Sequence, residues 1–465
     1  MELALNRHDK FPLYRQVYHL IKDQILSGQL VAGQKLPSKR QLAQINGISY
    51  NTVVSAYNQL MDEGYIYAQE RRGYYVGDIS QQVRPLQKQA LASELEREDP
   101  EPLVDLTRSI PDPELYPFNQ WAKIELGLLR NHQAGIIQPI EFRGLESLRQ
   151  AIADYLAHSR SVACQARQII LAPSSSSLFA YLFRVLGQEA KRIAVEDPGY
   201  HPLIRRYEAL GHHLVPLTLD ANGIDSQQLS NLQADWLYTT PNHQFPTGAY
   251  LPMKRRQALI RWVQEQPDRY IIEDDYDSEF KYSGLPLPSL KSLDASDQVI
   301  YMGSLSRSLS PGLRVSYMVV PDRILPAFMS LYGREQSPIN SLVQYSLRDF
   351  FVEGYFERHI NRSRRFYKKK RDHLINLLLE CDPHGQLQGE AAGLHLLWRP
   401  SRAFDSQALK SKLELAGYRL NTLADYCLQP KAGDDQFLFI SFSSLSTDQM
   451  NHFVSHLSTC LGLAN

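Results

Sequence analysis

Val299-Ile300-Tyr301-Met302-Gly303-Ser304-Leu305-Ser306-Arg307-Ser308-Leu309-Ser310-Pro311-Gly312-Leu313-Arg314 joins a four-residue apolar run to a loop of serines, glycines and two arginines. An apolar run of that length, closed by turn residues, reads as a buried strand. The same unit recurs at Gln168-Ile169-Ile170-Leu171, Arg192-Ile193-Ala194-Val195 and Tyr270-Ile271-Ile272. Strand-like runs alternating with helical patterns from about Leu106 onward specify an α/β domain with a mostly parallel sheet. Ligands of such sheets sit beyond the carboxyl ends of the strands. The residues that follow the apolar runs are therefore the ones to read for chemistry.

At 465 residues the chain is long enough for more than one domain. Lys+Arg and Asp+Glu stand at 50 each, so no global charge advertises a partner, and any nucleic-acid surface must be local. The 43% hydrophobic fraction is that of a globular protein. Cys164, Cys381, Cys427 and Cys460 are scattered without a CxxC or paired spacing, so they read as reduced and structural, as suits the cytoplasm. The start, MELALNRHDKFPLYRQ, lacks the apolar stretch of a signal peptide. No run approaches the ~18 apolar residues of a membrane helix. The expectation is a cytoplasmic protein with no membrane partner and no metal site.

The first 78 residues have a different grain. Leu13, Val17, Leu20, Ile21 and Ile25 form one apolar helical face, closed by Ser27-Gly28. Ser38 can cap a second helix with Gln41 completing a capping box. After the break at Asn46-Gly47, Ser49 can cap a third helix. Its buried stripe would be Val53, Ala56, Tyr57 and Leu60, with Tyr50, Asn51, Ser55 and Asn58 facing away. Two short strands, Tyr65-Ile66-Tyr67 and Tyr74-Tyr75-Val76, flank a turn at Arg71-Arg72-Gly73. Three helices and a basic-tipped hairpin describe an α+β winged helix-turn-helix. Charge alone leaves two readings open, a DNA-binding surface or a solvated one, because nearby Asp and Glu offset the Lys and Arg.

The order of PLYRQV, SGQLVAGQKLPSKRQLA, SYNTVVSAYNQL, DEGYI and RRGYYV is similar to that of the GntR family of bacterial regulators. The resemblance implies that the third helix enters the major groove of promoter DNA while the wing lies on the backbone or minor groove. Ser38, Arg40 and Thr52 are then placed to donate to phosphates, Tyr50 and Asn51 to reach base edges, and Arg71 and Arg72 to add a sequence-tolerant attraction. The family usually carries arginine where this chain has Tyr50, so the target sequence does not transfer from relatives. Residues 79–104 are polar, charged and punctuated by prolines, and read as a linker with weak helical potential at Ala90–Leu95. Extended, it spans roughly 85 Å, enough for the head to reach a partner subunit.

From residue 105 to the end the chain resembles fold-type I pyridoxal-phosphate transferases with a smaller C-terminal α/β subdomain, and specifically the MocR/GabR group, which fuses them to a GntR head. FRGLESLR (142–149), VEDPGY (195–200), TPNHQFPTG (240–248) and IEDDYDSEF (272–280) carry the likeness. It implies a cofactor pocket. Asp274 would meet the pyridine nitrogen, Tyr276 the ring hydroxyl and Tyr200 the ring face. Ser175, Ser304, Ser306 and Arg314 would hold the phosphate, and His243 or Gln244 would contact the ring hydroxyl or an effector. Taken singly, each has a plainer reading: a turn cap for Asp274, packing for Tyr200, an ordinary loop for Ser174–Ser177.

Two positions depart from the enzymes. Arg307 stands where the cofactor lysine belongs, and a guanidinium has no free electron pair with which to attack an aldehyde. Phe439 stands where aminotransferases commonly carry the arginine that grips the substrate carboxylate. Ser174 also replaces a glycine of the phosphate loop. No catalytic residue is therefore assigned. Three occupants stay open for the pocket: noncovalent pyridoxal 5'-phosphate, a preformed adduct of it with an amine, or another anion gripped by Arg307. The favoured expectation is a homodimeric transcription regulator, possible in head-to-tail form, whose body senses a pyridoxal-type effector. The alternatives are an aminotransferase with an accessory head, and a degenerate body that only dimerises. The basic run Arg362, Arg364, Arg365, Lys368, Lys369, Lys370 and Arg371 reads as a solvated helix face.

Overall fold

The computed structural model describes residues 1–6, 11–70, 72–78, 103–187, 189–200, 205–283 and 287–463. The chain divides into two units, residues 1–99 and 100–465. Arg71 and the helical potential at Ala90–Leu95 lie outside the described residues.

The first unit holds α1 (Leu13–Leu26), α2 (Lys39–Asn46) and α3 (Tyr50–Asp62) with strands β1 (Lys35–Leu36), β2 (Ile66–Gln69) and β3 (Gly73–Val76). The caps are those the sequence predicts. Ser38 and Gln41 form a reciprocal capping box, and Ser49 Oγ accepts from the Thr52 amide at 3.1 Å. Val53, Ala56, Tyr57 and Leu60 are buried against Val17, Ile21, Ile25 and Leu42. Leu13 and Leu20 are only half-buried, and Tyr18 takes a core place the apolar pattern did not assign. A third strand, β1, adds to the wing and pairs antiparallel with β3, Leu36 opposite Tyr74.

The second unit is built on an eight-stranded sheet. In chain order its strands are β5 (Ile169–Ala172), β6 (Arg192–Asp197), β7 (His213–Asp220), β8 (Gly223–Ile224), β9 (Trp236–Thr239), β10 (Tyr270–Asp275), β11 (Val299–Ser304) and β12 (Ser316–Val319). Their spatial order is β5-β12-β11-β10-β9-β6-β7-β8. The run β11-β10-β9-β6-β7 is parallel; β12 is antiparallel to both its neighbours, and β8 folds back on β7. All four apolar runs of the sequence lie in this sheet.

Side chains alternate across the sheet with the two-residue period of a strand. Ile170, Tyr238, Ile272, Ile300 and Met302 pack on one face against the helices Ser175–Leu186 and Leu325–Tyr332. Leu171, Tyr301, Tyr317 and Val319 pack on the other against Phe118–Asn131, Glu146–Arg160 and Ser341–Val352. With both faces covered, the strands read as continuous apolar runs.

The C-terminal part carries a four-stranded antiparallel sheet of β13 (Gln386–Gln388), β14 (His395–Arg399), β16 (Asn421–Thr422) and β17 (Leu438–Ser441), in the order β13-β14-β17-β16. The helices Tyr355–Cys381, Ser406–Leu415 and Thr447–Leu461 pack on it around Trp398, Leu374, Leu413 and Phe453. Strand β4 (Val104–Asp105) pairs parallel with β15 (Tyr418–Arg419), so ordered pairing begins one residue inside the stretch read as linker.

The basic run is only partly a solvated face. Arg362, Arg365, Lys368 and Lys369 are exposed. Arg364 Nε donates to the Glu279 carbonyl at 3.0 Å, and Lys370 bridges Asp112 and the Ser443 carbonyl. Arg362 also donates to the Leu115 carbonyl and Arg371 Nη1 to the Glu390 carbonyl at 2.8 Å, so four of the seven charges tie down a helix that packs on both subdomains. All four cysteines are free. Among the described residues no helix is long and apolar enough to cross a membrane, and no cluster of ligating side chains would hold a metal.

Candidate functional site

A cleft of about 240 Å³ opens at the carboxyl ends of β9, β10 and β11. Ser175, Tyr200, Asp274, Tyr276, Ser304, Ser306 and Arg307 line it, together with Ser174, Ser176, Tyr238, Thr240, Phe245 and Ser316. Seven of the residues expected at a ligand are thus brought together; Arg314, His243 and Gln244 are not among them. Arg314 follows the turn Pro311–Leu313 in a left-handed conformation (φ 53°) and its side chain is exposed.

Asp274 and Asp275, read as following a strand, are the last two residues of β10 itself. Asp274 shares the sheet face of Ile272 and reaches the cleft; the Tyr238 hydroxyl donates to it at 2.7 Å. Burial pushes the Asp274 carboxyl up to about 6, while the Tyr238 hydrogen bond and the Arg307 charge pull the other way. Asp275 turns to the opposite face, where Arg160 Nε lies 3.2 Å away and the Tyr301 hydroxyl donates to it. Glu273, on that same face, accepts from the amides of Leu290 and Lys291 at 3.0 and 2.9 Å; burial lifts it to about 7.

Arg307 lies on the short helix Leu305–Ser308 directly after β11. Its guanidinium sits 4.6 Å from the centre of the Tyr276 ring. Nη1 is buried and has no hydrogen-bond partner. No lysine is among the described residues that line the cleft. The Tyr276 hydroxyl lies 3.0 Å from Nδ1 of His243, which in turn lies 3.0 Å from Asp277.

His243 and Gln244, expected at a ring hydroxyl or effector, do not line the cleft. His243 is buried behind Tyr276, and Gln244 donates to the Pro198 carbonyl at 2.9 Å, tying two loops together. Gly393 allows the close approach of the neighbouring strand: a Cβ there, at φ 76°, would lie 2.2 Å from His243 Cε1.

The serines surround one end of the cleft. Ser174 caps the twelve-residue helix Ser175–Leu186, its Oγ accepting from the Ser177 amide at 3.2 Å. Ser304 Oγ accepts from the Ser306 amide at 3.2 Å and from Ser316 Oγ at 3.0 Å. Exposed amides at a helix start, ringed by hydroxyls, suit an anion. Tyr200 is 43% exposed, with one edge toward Phe245 at 5.7 Å. Tyr238, Thr240 and Ser316 were missed in the sequence. Tyr238 had a legible signal: it ends the apolar strand that precedes the TPNHQFPTG motif.

In the first unit, Ser38, Arg40, Tyr50, Asn51 and Arg72 are exposed and Thr52 is half-buried. Tyr50 is 49% exposed at the first position of α3. Ser38 Oγ and Thr52 Oγ1 already serve the caps, the latter 2.8 Å from Ser49 Oγ.

A winged head joined to a transferase-type body defines a regulator that carries an enzyme fold as its second module. Residues 13–76 match the bacterial regulatory proteins of the gntR family, and residues 103–457 match aminotransferase class I and II. The chain belongs to the transcriptional regulators that join these two families, the group of MocR and PdxR. It is 30% identical over 463 residues to the HTH-type pyridoxine biosynthesis transcriptional regulator PdxR of Corynebacterium glutamicum, covering 100% of this chain and 99% of that one. It is also 30% identical to the probable rhizopine catabolism regulatory protein MocR of Rhizobium meliloti, covering 91% and 88%. Among solved structures, an archaeal alanine:glyoxylate aminotransferase superposes with a TM-score of 0.70 at 22% identity, covering 80% of this chain and 94% of that one. At that identity the likeness speaks for the fold.

Proposed function

We propose that the protein is a ligand-responsive transcription regulator whose body holds a phosphorylated pyridine, pyridoxal 5'-phosphate or a near relative, without a covalent bond. The observation that carries this is Arg307: a guanidinium on the cleft wall, one nitrogen buried and unpartnered, where a lysine amine would otherwise be expected. A guanidinium has no lone pair for an aldehyde, yet it is a strong donor to an anionic or polar group.

The rest of the cleft fits such a ligand. Bound, it would supply a dianionic phosphate, a protonatable ring nitrogen and a flat aromatic face. Ser174, Ser175 and Ser176 at the helix start, with Ser304 and Ser306, would take the phosphate. Asp274, with its Tyr238 donor and the nearby Arg307 charge, would face the ring nitrogen and hold the ring in its protonated form. Tyr200 would cover the ring face. Arg314 has no part in this assignment. Similarity along the full chain to a regulator named for pyridoxine biosynthesis supports the choice of ligand class. With the lysine gone and Phe439 in place of a carboxylate clamp, transamination lacks its proton shuttle and its substrate grip.

In the head, Arg40, Ser38 and Thr52 would contact phosphates, Tyr50 and Asn51 bases, and Arg71 and Arg72 the flanking backbone. The working unit is a homodimer in the cytoplasm. A ligand alters DNA binding only through unequal affinity for the two arrangements of the molecule.

Titrating the full-length protein with pyridoxal phosphate, beside an Arg307→Lys variant, tests this reading. Saturable binding without the absorbance of a covalent imine supports it, as does the appearance of that absorbance in Arg307→Lys. No binding contradicts ligand sensing and leaves a body that only dimerises. An imine in the unaltered protein brings back the enzyme.

A further inference from the structure

We infer that the body carries a second contact for duplex DNA, the exposed basic face of the helix Tyr355–Cys381, which tracks the phosphates of one strand; this rests on the DNA-binding reading above. From Arg358 to Arg371 that helix holds eight Lys and Arg and no Asp or Glu. Arg364, Lys370 and Arg371 bond inward, to the carbonyls of Glu279, Ser443 and Glu390. Arg358, Arg362, Arg365, Lys368 and Lys369 are exposed. None of these five has an ion pair among the described residues, and the nearby Asp112 and Asp372 are taken by Lys370 and Arg371. Glu357, the carboxylate just before the run, lines the neighbouring groove with Arg160 and Lys281. In a chain of zero formal net charge this is a local excess of one sign.

The geometry favours a regular polyanion over a single small one. Arg358, Arg362, Arg365 and Lys369 recur every three or four residues, so they form one row along the helix. The row is about 16 Å long, and a DNA strand sets a phosphate every ~3.4 Å of its axis, so the row runs beside about five phosphates. With Asn361 and Phe366 these four cations line a groove of about 420 Å³. Two of them are already held in place: Arg358 Nη2 donates to the Glu353 carbonyl at 2.8 Å, and Arg362 donates to the Leu115 carbonyl. Less side-chain freedom is then lost on contact. The head holds a duplex on the same chain, which raises the effective concentration of DNA at the body. A contact of this kind adds affinity and salt dependence and leaves base recognition to the head.

The test uses the full-length protein and a duplex that it selects from a random-sequence library, extended on both sides by arbitrary flanks. Affinity is read by fluorescence anisotropy across a salt series. A triple variant, Arg358→Gln, Arg365→Gln and Lys369→Gln, is compared with a control that removes equal charge at exposed sites elsewhere on the body, Lys254→Gln, Arg261→Gln and Lys412→Gln. The inference expects the first variant to bind at least about tenfold more weakly at low salt, with a slope of log K against log salt shallower by about 2–3, and the control to match the unaltered protein. A second reading needs no variant: in the unaltered protein, Lys369 should be acetylated by acetic anhydride more slowly once the duplex is bound, and Lys254 at the same rate. An unchanged slope in the first variant, an equal loss in the control, or an unprotected Lys369 leaves the face to solvent or to an acidic protein and overturns the inference, with the DNA-binding reading intact. Failure of the unaltered protein to bind any duplex overturns that reading, and the inference with it.

Discussion

The Arg307 guanidinium lies over the Tyr276 ring at 4.6 Å, on the wall of a cleft whose floor is the Asp274 carboxylate. A cation over an aromatic face is held by the ring quadrupole, worth about 0.5–2 kcal/mol. The arginine is thus fixed in place while one of its nitrogens stays unpartnered. An immobilised donor of this kind suits a receptor, because little entropy is lost when a ligand reaches it.

Ligand affinity follows the ionisation of Asp274. Burial raises its folded pKa to about 6, above the ordinary aspartate value. A raised carboxyl pKa means the protonated form dominates below about 6, and that form cannot pair with a ring cation. Affinity for pyridoxine 5'-phosphate should therefore hold above pH 6 and fall as pH drops through it. The ligand phosphate titrates nearby, so the informative comparison is Asp274→Asn. That variant should bind roughly thirtyfold more weakly at pH 7.5, about 2 kcal/mol, and lose the aspartate part of the pH dependence. By the same linkage the ligand-free protein loses stability as pH rises from about 4 to 6 and levels off above it.

Tyr238→Phe removes the hydroxyl that donates to Asp274 at 2.7 Å. The carboxylate loses a charge-assisted hydrogen bond of about 1.5–3 kcal/mol, so its pKa climbs further. The pH midpoint of ligand binding should move upward, as read by calorimetry across pH 5.5–8, with the fold unchanged by circular dichroism.

The head separates positioning from reading. Arg40→Ala should weaken binding to all duplexes alike and lower the salt slope by about one; Tyr50→Ala should change the preferred sequence with little change in slope. Fluorescence anisotropy at several salt concentrations, on specific and scrambled promoter DNA, checks both.

Much of the head was legible because its signals are local. Ser38 with Gln41, and Ser49 before α3, are caps within four residues of what they satisfy. The stripe Val53, Ala56, Tyr57 and Leu60 follows from one helical period. Strand β1 escaped because two residues carry no period, and Tyr18 because a tyrosine is read as polar or apolar only once its neighbours are known.

In the body, β5, β6, β10 and β11 were visible as apolar runs, whereas the antiparallel insertion of β12 depends on pairing partners at both sides. Tyr238 reaches Asp274 across 36 residues of sequence through the β9–β10 register, a relationship no local window contains. Arg149 and Arg256 look like surface charges in sequence and are buried scaffolding: Arg149 Nε donates to the Gly144 carbonyl at 2.9 Å, and Arg256 Nη2 to the Pro241 carbonyl at 2.8 Å. Arg314, expected at a phosphate, follows a tight turn in a left-handed conformation and is exposed.

The far side of β10 makes its own prediction. Arg160 Nε is 3.2 Å from Asp275, and both side chains are largely buried. Arg160→Ala leaves the Asp275 charge unpaired in the interior, which costs about 3–5 kcal/mol. Urea denaturation should show the midpoint falling sharply; an unchanged midpoint would mean that water or Tyr301 suffices for Asp275.

The central claim is that the body holds its ligand without a bond to it. The direct measurement is intact-mass spectrometry of the full-length protein, saturated with pyridoxal phosphate to a stoichiometry fixed by equilibrium dialysis, then treated with borohydride and denatured. The account predicts one ligand bound per chain before reduction and an unmodified chain mass after it. A phosphopyridoxyl group retained on a side chain of the cleft would contradict it.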